Sequence, residues 1–104
     1  MFVIIWEYLV QEVRLAAFEK LYGAQGAWAE LFRKEKGYLG TELLRDSTHP
    51  QRYITIDRWT SPEDYESFLS QWQNEYARLD ARCEGLTAQE TLLGKWESIL
   101  PETR

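Results

Sequence analysis

Apolar positions along the chain follow two rhythms, one of period two and one of period near 3.6. Phe2-Val3-Ile4-Ile5-Trp6-Glu7-Tyr8-Leu9-Val10 is apolar at almost every position. A strand there would set Phe2, Ile4, Trp6, Tyr8 and Val10 on one face and Val3, Ile5, Glu7 and Leu9 on the other. Arg52 to Trp59 is a second strand, rich in β-branched and aromatic residues, and Tyr38 to Arg45 reads as its hairpin partner across the turn Asp46–Gln51. Directly after Trp59 the rhythm changes. Ser61 can cap a helix, Pro62 has the φ of a first helical residue, and Glu63 and Asp64 face the positive end of the helix dipole. Tyr65, Phe68, Leu69, Trp72, Tyr76 and Leu79 then recur at steps of three and four, which predicts one helix from Ser61 to about Glu84, closed by Gly85 in the left-handed region. Glu12 to Tyr22 carries Ala17, Phe18, Leu21 and Tyr22 at helical spacing. Gly23-Ala24-Gln25-Gly26 interrupts it, and a second helical piece with Trp28, Leu31 and Phe32 runs on toward Gly37. Thr91 to Glu97 is the last predicted strand.

The order β-α-β-β-α-β is that of a ferredoxin-like α+β domain, a four-stranded antiparallel sheet with helices over one face. The other face would carry either Phe2, Ile4, Trp6 and Tyr8 or Val3, Ile5 and Leu9, an apolar patch too large to stay open to water. A second copy of the chain can cover it. Several large side chains buried sheet to sheet are worth on the order of ten kcal/mol before the costs of association. A homodimer is the expected assembly.

With 104 residues the chain suits one domain, taken as residues 1–100, followed by a short tail at 101–104. One cysteine, Cys83, excludes an internal disulfide framework and a zinc site built on paired thiolates, and points to a reducing, cytoplasmic setting. Met1 to Val10 lacks a basic leader and a small-residue cleavage site and reads as a strand, not a signal peptide. No apolar run approaches a membrane span. A net charge of -5 with interspersed signs argues against a nucleic-acid partner. Arg33-Lys34-Glu35-Lys36 is the single basic cluster, and it sits where a helix end before Gly37 favours cations.

Two stretches carry a family resemblance: Gly37-Tyr38-Leu39-Gly40-Thr41-Glu42 entering the second strand, and Tyr53-Ile54-Thr55-Ile56-Asp57-Arg58-Trp59 with Ser61 and the aromatic-rich helix after it. In their order and spacing from Phe2 to Glu97 the chain resembles the antibiotic biosynthesis monooxygenase (ABM) superfamily, whose members are ferredoxin-like dimers called dimeric α+β barrels. The resemblance implies a dimeric α+β barrel. It also implies chemistry of the cofactor-independent branch, in which an electron-rich polycyclic phenol is deprotonated and its carbanion reacts with dioxygen, with no metal, flavin or other cofactor. The haem-degrading branch has an asparagine in the first strand, a tryptophan ending the third and a histidine on the following helix. Trp59 matches the tryptophan, whereas Glu7 stands at the asparagine position and Phe68 or Leu69 at the histidine position. Neither Phe68 nor Leu69 can ligate iron, and His49 lies in a turn.

If the family's register holds, Glu7, Thr55, Asp57 and Trp59 line one pocket. Glu7, desolvated, is a candidate general base, or else the partner of Arg45 or Arg58 in an ion pair. Asp57, a mid-strand carboxylate, is a second candidate for proton transfer or a structural pairing. Trp59 can stack on a flat ligand or fill the core. Trp28, Phe32, Phe68 and Trp72 project from helices toward the same layer and with Thr55 and Trp59 would hold a small aromatic molecule. The interruption at Gly23–Gly26 is either a passive kink or the joint of a lid. A non-catalytic binding module and a fully packed structural dimer are the competing classes. A cavity of roughly 300 Å³ or more beside Trp59 that contains a carboxylate would separate the first two classes from the third.

Overall fold

The computed structural model describes residues 1–99, so the tail at 101–104 and the last residue of the expected domain lie outside the described residues. The strands are β1 (Phe2–Val10), β2 (Tyr38–Arg45), β3 (Arg52–Trp59) and β4 (Thr87–Glu97). The helices are α1 (Leu15–Tyr22), entered through a 3₁₀ turn at Glu12–Arg14, α2 (Ala27–Phe32), α3 (Pro62–Gln71) and α4 (Gln73–Arg82). The sheet is antiparallel in the order β2-β3-β1-β4, with both helical crossovers on one face. This is the expected ferredoxin-like α+β fold. Among the described residues no helix is long and apolar enough to cross a membrane.

The pairing of β1 with β3 decides which side chains meet. Trp6 stands opposite Thr55, Tyr8 opposite Tyr53 and Ile4 opposite Asp57. Phe2, Ile4, Trp6, Tyr8 and Val10 therefore share the helix-covered face with Tyr53, Thr55, Asp57 and Trp59. Val3, Ile5, Glu7 and Leu9 share the outer face with Arg52, Ile54, Ile56 and Arg58. The helix-covered face holds the core. Phe18 of α1 stacks on Tyr22 with ring centroids 4.3 Å apart and meets Tyr8 and Tyr53 at 5.2 and 4.8 Å. At the other end of the sheet, Phe32, Tyr38, Tyr65 and Phe68 surround Trp59 at 5.2 to 5.5 Å.

The predicted helix from Ser61 to about Glu84 is two helices, α3 and α4, separated at Trp72, whose φ of -114 and ψ of 28 leave the helical region. Ser61 Oγ accepts from the Asp64 amide, as its position predicts. The break lets the two halves follow a twisted sheet: α3 buries Phe68 beside Trp59, and α4 buries Leu79 farther along. Gly85 takes φ +84, a conformation that favours glycine, and turns the chain into β4. That strand begins at Thr87, four residues before the predicted start, because Thr87 through Glu90 pair with the far end of β1.

Candidate functional site

Between the two aromatic groups, α2 and α4 bridge a cavity over the middle of the sheet. Its floor is Trp6 and Tyr8 of β1, Thr41 of β2 and Thr55 and Asp57 of β3. Tyr22, Trp28 and Phe32 form one wall and Tyr76 the other, with the rings of Trp28 and Tyr76 meeting edge to face at 5.0 Å. Asp80 and Glu90, both exposed, flank the opening. The cavity measures about 70 Å³, short of the roughly 300 Å³ that holds a drug-sized ligand, because the aromatic rings close on one another.

Asp57 is the buried carboxylate of this site, 8% exposed. Its Oδ1 accepts a 2.6 Å hydrogen bond from Thr41 Oγ1, which lies 2.5 Å from Tyr38 Oη. Thr41 has one proton and gives it to the carboxylate, so Tyr38 donates to Thr41 and the three groups form a relay ending on Asp57. Oδ2 has no hydrogen-bond partner among the described residues. Burial pushes the Asp57 carboxyl up to about 6 from an ordinary value of 3.8, and the Thr41 bond offsets part of that rise. The phenols around it move the same way. Burial raises Tyr8 and Tyr22, and it pushes Tyr76 up to about 12. Thr55 Oγ1 donates to Tyr8 Oη at 3.2 Å, which fixes the floor beside Asp57.

The expected grouping of side chains is met in part. Trp28, Phe32, Thr55 and Asp57 come together around the cavity. Glu7 does not join them. It lies across from Ile54 on the outer face, where its carboxylate holds Arg52 at 2.5 Å, so the expectation that Glu7 shares a pocket with Asp57 is corrected by a register one residue away from the one assumed. The partner is Arg52, in place of the expected Arg45 or Arg58. Trp59 is fully buried behind Phe32 and does not line the cavity; its indole N–H has no partner among the described residues. Phe68 packs on Phe32 at 5.2 Å, a layer away from the opening. Trp72 lies at the helix break under Lys34 Nζ, 4.7 Å from its ring, and is likewise not a wall. Trp6, Tyr8, Tyr22, Thr41, Tyr76, Asp80 and Glu90 were not anticipated as lining residues.

The arrangement is an aromatic slot with one partly ionised carboxylate at its floor, which suits proton abstraction from a flat, weakly acidic molecule. A match to the antibiotic biosynthesis monooxygenase family model runs over residues 1–71, from β1 through α3. No curated protein shows significant sequence similarity to the chain. Solved structures do show similarity. A Deinococcus radiodurans protein assigned as an antibiotic biosynthesis monooxygenase superposes with a TM-score of 0.75 at 15% identity, over 100% of this chain and 98% of that one. A variant of SnoaB, a cofactor-independent oxygenase from Streptomyces nogalater, gives 0.77 at 21% identity over 97% of each chain. A variant of MhuD with two manganese protoporphyrin IX molecules bound per active site gives 0.73 at 22% over 100% of each. At such identities the structural likeness speaks to the fold alone. The family model spans 71 of the 104 residues, and on that match the chain belongs to the antibiotic biosynthesis monooxygenase family.

Proposed function

We propose that the chain is a cofactor-independent monooxygenase that acts on an aromatic, phenolic small molecule, with Asp57 as its general base. The observation that carries this reading is the placement of Asp57. A carboxylate with pKa near 6 at the floor of an aromatic cavity is mostly ionised at neutral pH, yet more basic than an exposed one. Trp28, Phe32 and Tyr76 hold the ring system of the substrate, and Thr41 holds the carboxylate. Trp59 and Phe68 act through Phe32, whose ring they fix from behind. Asp57 takes a proton from an activated C–H of the bound phenol. The resulting carbanion passes one electron to dioxygen, and the two radicals combine to a peroxide that takes up the proton. Loss of water then leaves a carbonyl. One methylene and one O₂ become one C=O and one H₂O, so no external reductant is needed.

SnoaB, of the same fold, is a cofactor-independent oxygenase, so the fold accommodates this chemistry. The outer sheet face completes the reading. Val3, Ile5, Ile54 and Ile56 form its apolar centre, with Leu9, Leu44 and Trp96 exposed around them, and a second copy of the chain covers it as a homodimer. The cavity volume of about 70 Å³, short of the roughly 300 Å³ that would set a ligand-binding protein apart from a packed one, favours a second reading, a structural dimer with a filled interior. Oxygen uptake distinguishes the two. Wild-type protein with anthrone-like phenols and no added cofactor consumes O₂, and Asp57→Asn lowers the rate by about 10² or more. No uptake by wild type, or equal uptake by the variant, refutes the assignment.

A further inference from the structure

Three buried indole N–H groups have no hydrogen-bond partner among the described residues, those of Trp28, Trp59 and Trp72, and only Trp28 lines the cavity. An indole nitrogen donates and cannot accept, so Trp28 Nε1 calls for an acceptor oxygen. Tyr8 is in a similar position on the floor. Its Oη accepts from Thr55 Oγ1 at 3.2 Å, and its own O–H has no acceptor among the described residues. Burial holds that phenol protonated, and therefore a donor, at neutral pH. Asp57 is the contrasting group: Oδ1 accepts from Thr41, and Oδ2 is free to take a proton. The cavity thus offers two unused donors and one unused acceptor.

Rings packed against the two donors would leave both hydrogen bonds unmade, a cost that native interiors avoid. A bound molecule with an acceptor oxygen removes it. The proposed reaction says which oxygen that is. When Asp57 takes the C–H proton it becomes neutral, and the negative charge passes to the substrate. Where the reacting carbon is conjugated to a carbonyl, that charge settles largely on the oxygen as an enolate. A donor that holds the carbonyl oxygen holds the enolate oxygen more strongly, because hydrogen bonds to a charged acceptor are shorter and stronger. The gain is made in the transition state and lowers the barrier.

We infer that Trp28, with Tyr8, is a catalytic hydrogen-bond donor that holds the substrate oxygen on which charge develops. This inference rests on the cavity being the substrate site of the proposed oxygenase.

The test is calorimetric titration of the full chain at pH 7 with 4-hydroxyacetophenone and 4-ethylphenol, which share a phenol and a size and differ in the carbonyl. The expected Kd of the ketone lies at least about fivefold below that of 4-ethylphenol. Trp28→Phe and Tyr8→Phe each delete one donor and keep a ring, and each should narrow that ratio. Replacing Trp28 by 3-benzothienylalanine, which keeps the bicyclic shape with sulfur in place of N–H, gives the same reading should the smaller ring disturb packing against Tyr22 and Tyr76. In oxygen uptake, loss of the Trp28 donor should lower kcat by about 10² and move KM less. Equal binding of the two probes by wild type, a ratio that survives removal of either donor, no binding of either probe, or an unchanged kcat overturns the inference. A ketone preference that depends on Trp28, without O₂ uptake by wild type on any phenol, leaves the acceptor-binding site and removes the oxygenase. Uptake by wild type that is indifferent to the Trp28 donor does the reverse.

Discussion

Replacing Asp57 by asparagine should make the protein more stable at neutral pH while removing its activity. The asparagine side chain has nearly the same shape, keeps an oxygen to accept from Thr41, and carries no charge. Asp57 ionises near 6 in the folded protein against 3.8 for an ordinary aspartate, because burial disfavours the charged form. The folded chain therefore holds a proton that the unfolded chain has already released between about pH 4 and pH 6. Stability falls as pH rises through that window, and the loss is complete above it. A tenfold change in proton affinity is worth about 1.4 kcal/mol, so the ionised carboxylate costs the fold about 3 kcal/mol at pH 7. Urea unfolding of wild type and Asp57→Asn at fixed protein concentration, from about pH 4 to pH 8, reads the difference directly. The variant should gain on wild type by about 3 kcal/mol across the window. A difference that does not change with pH, or a wild type more stable than the variant at pH 8, would refute the account of a strained, desolvated carboxylate.

Glu7→Gln removes one of the two carboxylates that hold Arg52, Asp46 being the other, and leaves the cavity intact, so steady-state assays should find kcat/KM unchanged; a loss as large as that of Asp57→Asn would return Glu7 to the chemistry. Thr41→Val keeps side-chain shape but deletes the hydrogen bond that lowers the Asp57 pKa, so the pH at which activity appears should move upward. Ile56→Glu places a charge at the centre of the outer face, and sedimentation should show the wild type at twice the chain mass and the variant dissociated at micromolar concentration. A wild-type monomer there would remove the dimer.

Local signals in the chain were strong where one element decides its own form. Phe2–Val10, Tyr38–Arg45 and Arg52–Trp59 are strands with the bounds their composition predicts, and Ser61-Pro62 starts α3 as capping chemistry requires. What depends on two elements at once was less legible. Parity within β1 separates Glu7 from Tyr8, but it does not say which of them faces Asp57; the pairing of Trp6 with Thr55 does, and a shift of one residue exchanges the faces. Tyr8 could have been found by taking the more aromatic parity set as the covered one. The break at Trp72 leaves no mark in the periodicity, since a tryptophan at that step fits a continuous helix, and the bend answers to the twist of the sheet beneath it. Glu90 was missed because Thr87–Glu90 has a polar composition that reads as a loop, while pairing with β1 makes it strand. Trp59 illustrates the other limit. Its aromatic character suggested a ligand wall, and only packing shows Phe32 standing between it and the cavity.

The central claim is that Asp57 removes the substrate proton, and the pH dependence of kcat/KM for oxygen uptake tests it most directly. With a phenol that does not itself titrate between about pH 5 and pH 8, log kcat/KM should rise with unit slope up to about pH 6 and level off above it, following ionisation of Asp57 in the free enzyme. The step should be absent from the residual activity of Asp57→Asn. A profile flat through that range, or a step near pH 6 that survives in the variant, would contradict the assignment of Asp57 as the base.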